Sequence, residues 1–138
     1  RFKPLVDLYR EAGLQAGHAP EQLKVGVTGH VYLAETTEKA KDEFYPYYAN
    51  YWYYVNRQRG MGTKMSRDDF ERMAAPETAL FVGSPELVAE KILQQHELYG
   101  QTRFLAQMDI GGLPFDKVRR NMELLANEVV PRVREALK

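Results

Sequence analysis

Two short runs with the two-residue periodicity of a β-strand constrain this chain most. They are residues 25–34 (VGVTGHVYLA) and 103–109 (RFLAQMD), and about seventy mostly helix-like residues separate them. A gap of that length is no hairpin turn. It requires a crossover, and a right-handed crossover sets the two strands parallel. Two strands alone do not make a stable sheet. The pattern therefore reads as α/β and rich in helix, an arc of a larger β/α repeat.

The helical segments have clear punctuation. Residues 2–17 carry Leu5, Leu8, Tyr9 and Ala12 at helical spacing, and Gly17 marks the stop. Thr36 or Thr37 caps a helix that continues to about Gln58, with Pro46 expected to kink or break it. Ser66 caps a short helix through about Ala74. Residues 79–83 read as a short extended entry into Gly83-Ser84-Pro85-Glu86, a helix start that Gly100 stops. A last helix runs from about Pro114 to Leu137. Its expected apolar stripe is Val118, Met122, Leu125 and Val129, with a kink near Pro131. The whole chain, 1–138, reads as one partial domain, with 36–78 a helical insertion.

Charge and composition remove several functions. The chain has 19 Lys+Arg against 19 Asp+Glu, and neither half is strongly charged. That disfavours nucleic acid or an anionic membrane as the main partner. With no Cys there is no disulfide, thiolate metal site or Cys nucleophile, and three scattered His have no metal-ligand spacing. No apolar run approaches the ~18 residues of a membrane span, and no signal peptide is visible. A cytoplasmic location is the expectation. The chain opens on Arg1, directly in a helix-like pattern, which suggests a piece of a longer or processed chain.

The stretch FVGSPELVAEKILQQHELYGQTRFLAQMDIGGLPFDKVRRNMELLANEVVPRVREAL resembles the C-terminal end of luciferase-like flavin-dependent monooxygenases. So does RFKPLVDLYREAGLQAGH followed by VGVTGHVYLAET. The resemblance implies the C-terminal part of a (β/α)8 barrel, with strands seven and eight and their flanking helices. It implies reduced FMN or a deazaflavin as cofactor, and a small-molecule substrate. A barrel of this type takes about 250 residues. The family's catalytic His and most flavin-phosphate contacts resemble positions upstream of Arg1, so no catalytic residue is assigned and the segment alone is expected to be inactive.

Barrel enzymes place chemistry at the C-terminal ends of strands, here Leu33 to Glu35 and Met108 to Gly112. On that frame Gly26, Thr28, His30 and Tyr32 point into the barrel, as do Leu105, Gln107 and Asp109. Val25, Val27, Val31 and Leu33 face the helices, with Phe104, Ala106 and Met108. His30, Gln107 and Asp109 then either contact a ring-shaped ligand or form a structural hydrogen-bond network. Gly111 and Gly112 either let backbone amides approach a flavin or substrate, or only permit the turn.

Six of the nine tyrosines fall within residues 45–54, beside Trp52. Tyr48, Tyr51 and Trp52 can wall a substrate pocket, or the helix can pack on two sides or form a subunit interface. Arg57, Arg59, Lys64 and Arg67 either close over an anion or are solvated. A competing reading is a non-catalytic interaction module or barrel relic that binds a partner through the tyrosine-rich helix. The chain is expected to self-associate as a homo-oligomer through open strand edges or these aromatics.

Overall fold

The strand richest in valine takes the middle of the sheet. A computed structural model describes residues 1–138. In chain order it contains α1 (Lys3–Gln15), a 3-10 turn (Pro20–Gln22), β1 (Gly26–Leu33), α2 (Thr37–Gln58) and α3 (Arg67–Met73). Then come β2 (Leu80–Gly83), α4 (Pro85–Tyr99), β3 (Arg103–Gln107), α5 (Phe115–Leu124), a π turn (Leu125–Val129) and α6 (Val130–Ala136). The sheet is parallel throughout, in the order β2-β1-β3. β3 pairs with the first half of β1, Gly26 to His30, and β2 with its second half, His30 to Leu33.

The parallel α/β reading holds, but the sheet has three strands, not two. Leu80–Gly83 is a full member, and all four of its residues are buried. An extended segment buried there needs partners for its backbone polar groups, and the second half of β1 supplies them.

Alternation along β1 divides the core in two. Tyr32 packs with Leu80, Val82, Ala40, Phe44, Tyr48 and Phe70 under α2 and α3. Val31 and Leu33 pack with Phe81, Val88, Ile92, Leu124 and Val129 under α4 to α6. The face expected to look into a barrel is thus covered, toward its C-terminal end, by the insertion itself.

Pro46 does not break α2, which runs unbroken from Thr37 to Gln58. A mid-helix proline costs about 3 kcal/mol. Phe44 and Tyr48, on either side of Pro46, are both buried. Each stabilises by roughly 1.5–3 kcal/mol, enough to carry the helix through. Pro131 is handled differently: the π turn widens the helix just before it, and α6 restarts with the proline in its first turn. Of the expected stripe, Val129 is buried, Leu125 packs at the edge of the core and Met122 is exposed; Asn121 and Leu124 are the other buried residues on these helices.

Two buried polar side chains stitch the layers together. Beyond the last β1–β3 pair, the Leu33 N–H has no strand to bond. The Asn121 side chain accepts from it, and its amide donates to the Lys117 carbonyl (3.0 Å). Lys91, only 2% exposed, donates to the Ala75 carbonyl (2.8 Å) and the Leu80 carbonyl (2.6 Å), tying α4 to the entry of β2. Burial pushes the Lys91 amine down to about 8. The unfolded chain, with an ordinary amine near 10.5, then binds more protons between those values. The contribution of Lys91 to stability therefore rises with pH across that window. Chemical denaturation of wild type and Lys91→Met should show the difference moving in favour of wild type as pH rises through it, by at most on the order of 3 kcal/mol.

Candidate functional site

A cleft of about 830 Å³ opens beside the middle of β1. Its floor is Thr28, Gly29 and His30, its wall is Tyr48 and Trp52 of α2, and Met65, Met73 and Leu80 complete its apolar side. Asn56, Thr63, Lys64, Asp69, Arg72 and Thr78 line its polar side. Volume and composition fall in the range of sites for small organic ligands, roughly 300–1,000 Å³.

The cleft is built by α2. Thr36 caps that helix, its hydroxyl accepting from the Lys39 N–H (3.2 Å). Phe44 then stacks on Tyr32 with ring centroids 5.0 Å apart, and Tyr48 follows one turn later. This brings the Tyr48 hydroxyl to 3.2 Å from His30 Nδ1. Tyr51 packs edge-on against the His30 ring at 5.5 Å, and Trp52 edge-on against Tyr48 at 6.3 Å. Burial pushes His30 down from its ordinary value, which favours the neutral ring, and burial raises Tyr48. The Trp52 indole N–H lies near the Tyr48 oxygen, close enough to offset part of that rise. Its geometry falls short of a full hydrogen bond, so the buried N–H has no partner.

His30, Tyr48 and Trp52 thus converge on the cleft, and Tyr51 supports His30 without lining it. Gln107 is the register partner of His30, so the two emerge side by side, Gln107 exposed. Asp109 is exposed and lies outside the cleft, on an apolar groove with Ala106, Met108 and Met122. Gly111 and Gly112 both have positive φ, +72° and +80°. The close approach at Gly111 is made by α2: a Cβ there would sit 1.9 Å from the Tyr47 carbonyl oxygen. The Asn50 side-chain amide donates to the Gly111 carbonyl in the same contact (3.2 Å).

The basic loop divides. Lys64 lines the cleft and lies over the Tyr53 ring, while Arg67 is held by Asp42 and Glu71 between α2 and α3. The C-terminal end of β1, where barrel logic puts chemistry, holds a small polar pocket of about 200 Å³. Tyr32 donates to Glu43 (2.7 Å) there, and Glu35 pairs with Lys39 (2.7 Å) and Arg120 (3.4 Å). Its acidic and basic groups balance, Glu35, Glu43 and Asp116 against Lys39, Lys117 and Arg120. No group of three or more His, Asp or Glu is arranged to hold a metal ion. Sequence reasoning did not find Asn56, Thr63, Arg72, Met73 or Thr78, because they meet the cleft only after α3 folds back.

A sequence model described as luciferase-like monooxygenase matches residues 1–102. No curated protein sequence matches the chain. Among solved structures it is similar to the monooxygenase RslO1 from Streptomyces bottropensis, at 25% identity and TM-score 0.72, covering 94% of this chain and 37% of that one. It is similar also to the oxygenating constituent of 3,6-diketocamphane monooxygenase from the CAM plasmid of Pseudomonas putida, a type II Baeyer-Villiger monooxygenase in complex with FMN. That match has 25% identity and TM-score 0.70, covering 96% of this chain and 40% of the other. Apo-MsnO8, at 17% identity and TM-score 0.60, shares the fold over 93% of this chain and 41% of its own. The chain spans about two fifths of the length of each of these three structures.

The docking of α2 on the Gly111 turn yields a prediction. Gly111→Ala should destabilise the protein by about 2 kcal/mol or more in a thermal melt, since backbone must move. Gly112→Ala, with no atom within 4 Å of its added Cβ, should cost only the left-handed backbone penalty of roughly 1–2 kcal/mol. Equal losses at the two sites would contradict the packing argument.

Proposed function

The chain belongs to the luciferase-like monooxygenases, and from that membership we propose that it forms one flank of the flavin and substrate pocket of a flavin-dependent monooxygenase. The observation that carries this is the convergence of His30, Tyr48 and Trp52 on one cleft in a chain of that family. In this reading the segment is the C-terminal part of a (β/α)8 barrel, with β1 and β3 as strands seven and eight. The central acid–base group lies elsewhere in the protein, and this segment alone is inactive.

The residues present suit one side of a planar ring system. Aromatic faces offer stacking area, and His30, Gln107 and Asn56 offer polar edge contacts. FMN, the cofactor bound by the diketocamphane enzyme, is the first choice, with a deazaflavin the alternative. A reduced flavin supplies the oxygen or hydride chemistry. The chain's own residues bind and orient a small molecule and exclude water. Asp109, Gly111 and Gly112 complete the candidate set at the end of β3. Replacing His30 and Asp109 by Ala in the whole protein should weaken flavin affinity or lower turnover by about tenfold. Unchanged affinity and turnover in both variants would remove these residues from the site.

An interaction module built on the tyrosine-rich helix is the competing reading. Against it, α2 commits Phe44 and Tyr48 to the core and Trp52 to the cleft, and Tyr54 is its one largely exposed aromatic. Flavin binding by the whole protein separates the two readings.

We also propose that this segment self-associates. One face of α1 leaves Phe2, Leu5, Leu8 and Tyr9 exposed, and Leu105, Phe115 and Met122 are exposed near β3 and its groove. Sedimentation of residues 1–138 should show dimers or larger species whose fraction grows with concentration. A monomer throughout would refute this. No helix is long and apolar enough to cross a membrane; a cytoplasmic location is part of the proposal.

A further inference from the structure

The polar groups at the cleft set a direction. A phenol can both donate and accept. The buried Tyr48 hydroxyl has one hydrogen-bond partner in the chain, His30 Nδ1 at 3.2 Å, and no other acceptor there for its proton. A neutral imidazole whose Nδ1 accepts carries its proton on Nε2. The Nε2 atom has no hydrogen-bond partner within the chain, and His30 lines the cleft.

We propose that Tyr48 is a positioning residue that sets His30 in its Nε2–H tautomer, and that this N–H is the donor by which the cleft recognises an acceptor oxygen on a small, largely apolar molecule. The inference rests on the reading of this cleft as a substrate wall. The aromatic edges of Tyr48 and Tyr51 restrain the ring, which limits how the donor can turn. The wall of Trp52, Met65, Met73 and Leu80 accommodates the carbon skeleton. Lys64, Asp69 and Arg72 are the charged groups on the same cleft, and Arg72 is already paired with Asp69.

The test is nitrogen NMR of the whole protein labelled at histidine, with the His30 signal identified by its loss in His30→Gln. The expected result is a protonated Nε2 and a bare Nδ1 in the wild type, and a mixture of tautomers in Tyr48→Phe. A proton on Nδ1 in the wild type, or an unchanged tautomer in Tyr48→Phe, overturns the role given to Tyr48. The ligand claim uses acetophenone and its hydrocarbon counterpart ethylbenzene as probes. Acetophenone should shift the Nε2–H signal and bind about fivefold more weakly to His30→Phe, while ethylbenzene should do neither. Equal behaviour of the two probes overturns the recognition claim. These signals are read without flavin. If flavin fails to bind but the tautomer and the ketone effect hold, the flavin reading falls and this inference stands.

Discussion

The stack of Phe44 on Tyr32 is the contact on which the rest of the molecule depends. It lays the insertion helix across the sheet face that a barrel would otherwise keep for its interior. Around it Tyr48, Phe70 and Tyr45 add further aromatic contacts at centroid distances of 5.1–6.4 Å. Each such pair contributes about 0.5–1.5 kcal/mol beyond its buried area. Exposed ion pairs like Lys39–Glu35 are screened by solvent and contribute little, so α2 is held by its rings. The same helix carries Trp52 to the cleft, so core packing and site geometry have one cause.

The punctuation of the sequence translated well into structure. Ser84 caps α4 with its side chain accepting from the Leu87 N–H, and Gly100 ends that helix in the left-handed region, because both signals act within a few residues. Signals that depend on distant partners did not. Pro46 marks a break by local rules, but burial of its neighbours Phe44 and Tyr48 outweighs the lost backbone bond. Residues 80–83 are too few to show a period, and only the pairing with β1 makes them a strand. Lys91 drew no notice in the sequence, because its burial depends on the distant carbonyls of Ala75 and Leu80.

The candidate site shows the same division. His30 was legible because a polar ring on an alternating strand has a definite face, and that face meets the cleft. The tyrosine cluster was legible as aromatic, but its division between core and cleft follows from helical phase: Phe44 and Tyr48 point to the sheet, and Tyr54 does not. Gly111 left two uses open. The structure fills the space over it with the Tyr47 carbonyl, which accounts for a glycine there through packing of α2.

One consequence concerns how such a chain divides its labour. The helices on the outer face bury Val31, Leu33 and Phe81 and carry no candidate site residue, so they act as scaffold. The inner face carries a polar residue in the middle of its central strand, His30, flanked by glycine at position 29. A Cβ on Gly29 would sit 2.5 Å from the Phe81 ring on the opposite face, so that glycine serves the scaffold. His30 is the reverse case. Its ring loses hydration through burial, yet its only hydrogen-bond partner in the chain is Tyr48. One nitrogen is thus satisfied and the other open, with the ring held between aromatic edges, and this is the geometry on which the proposed ligand contact rests.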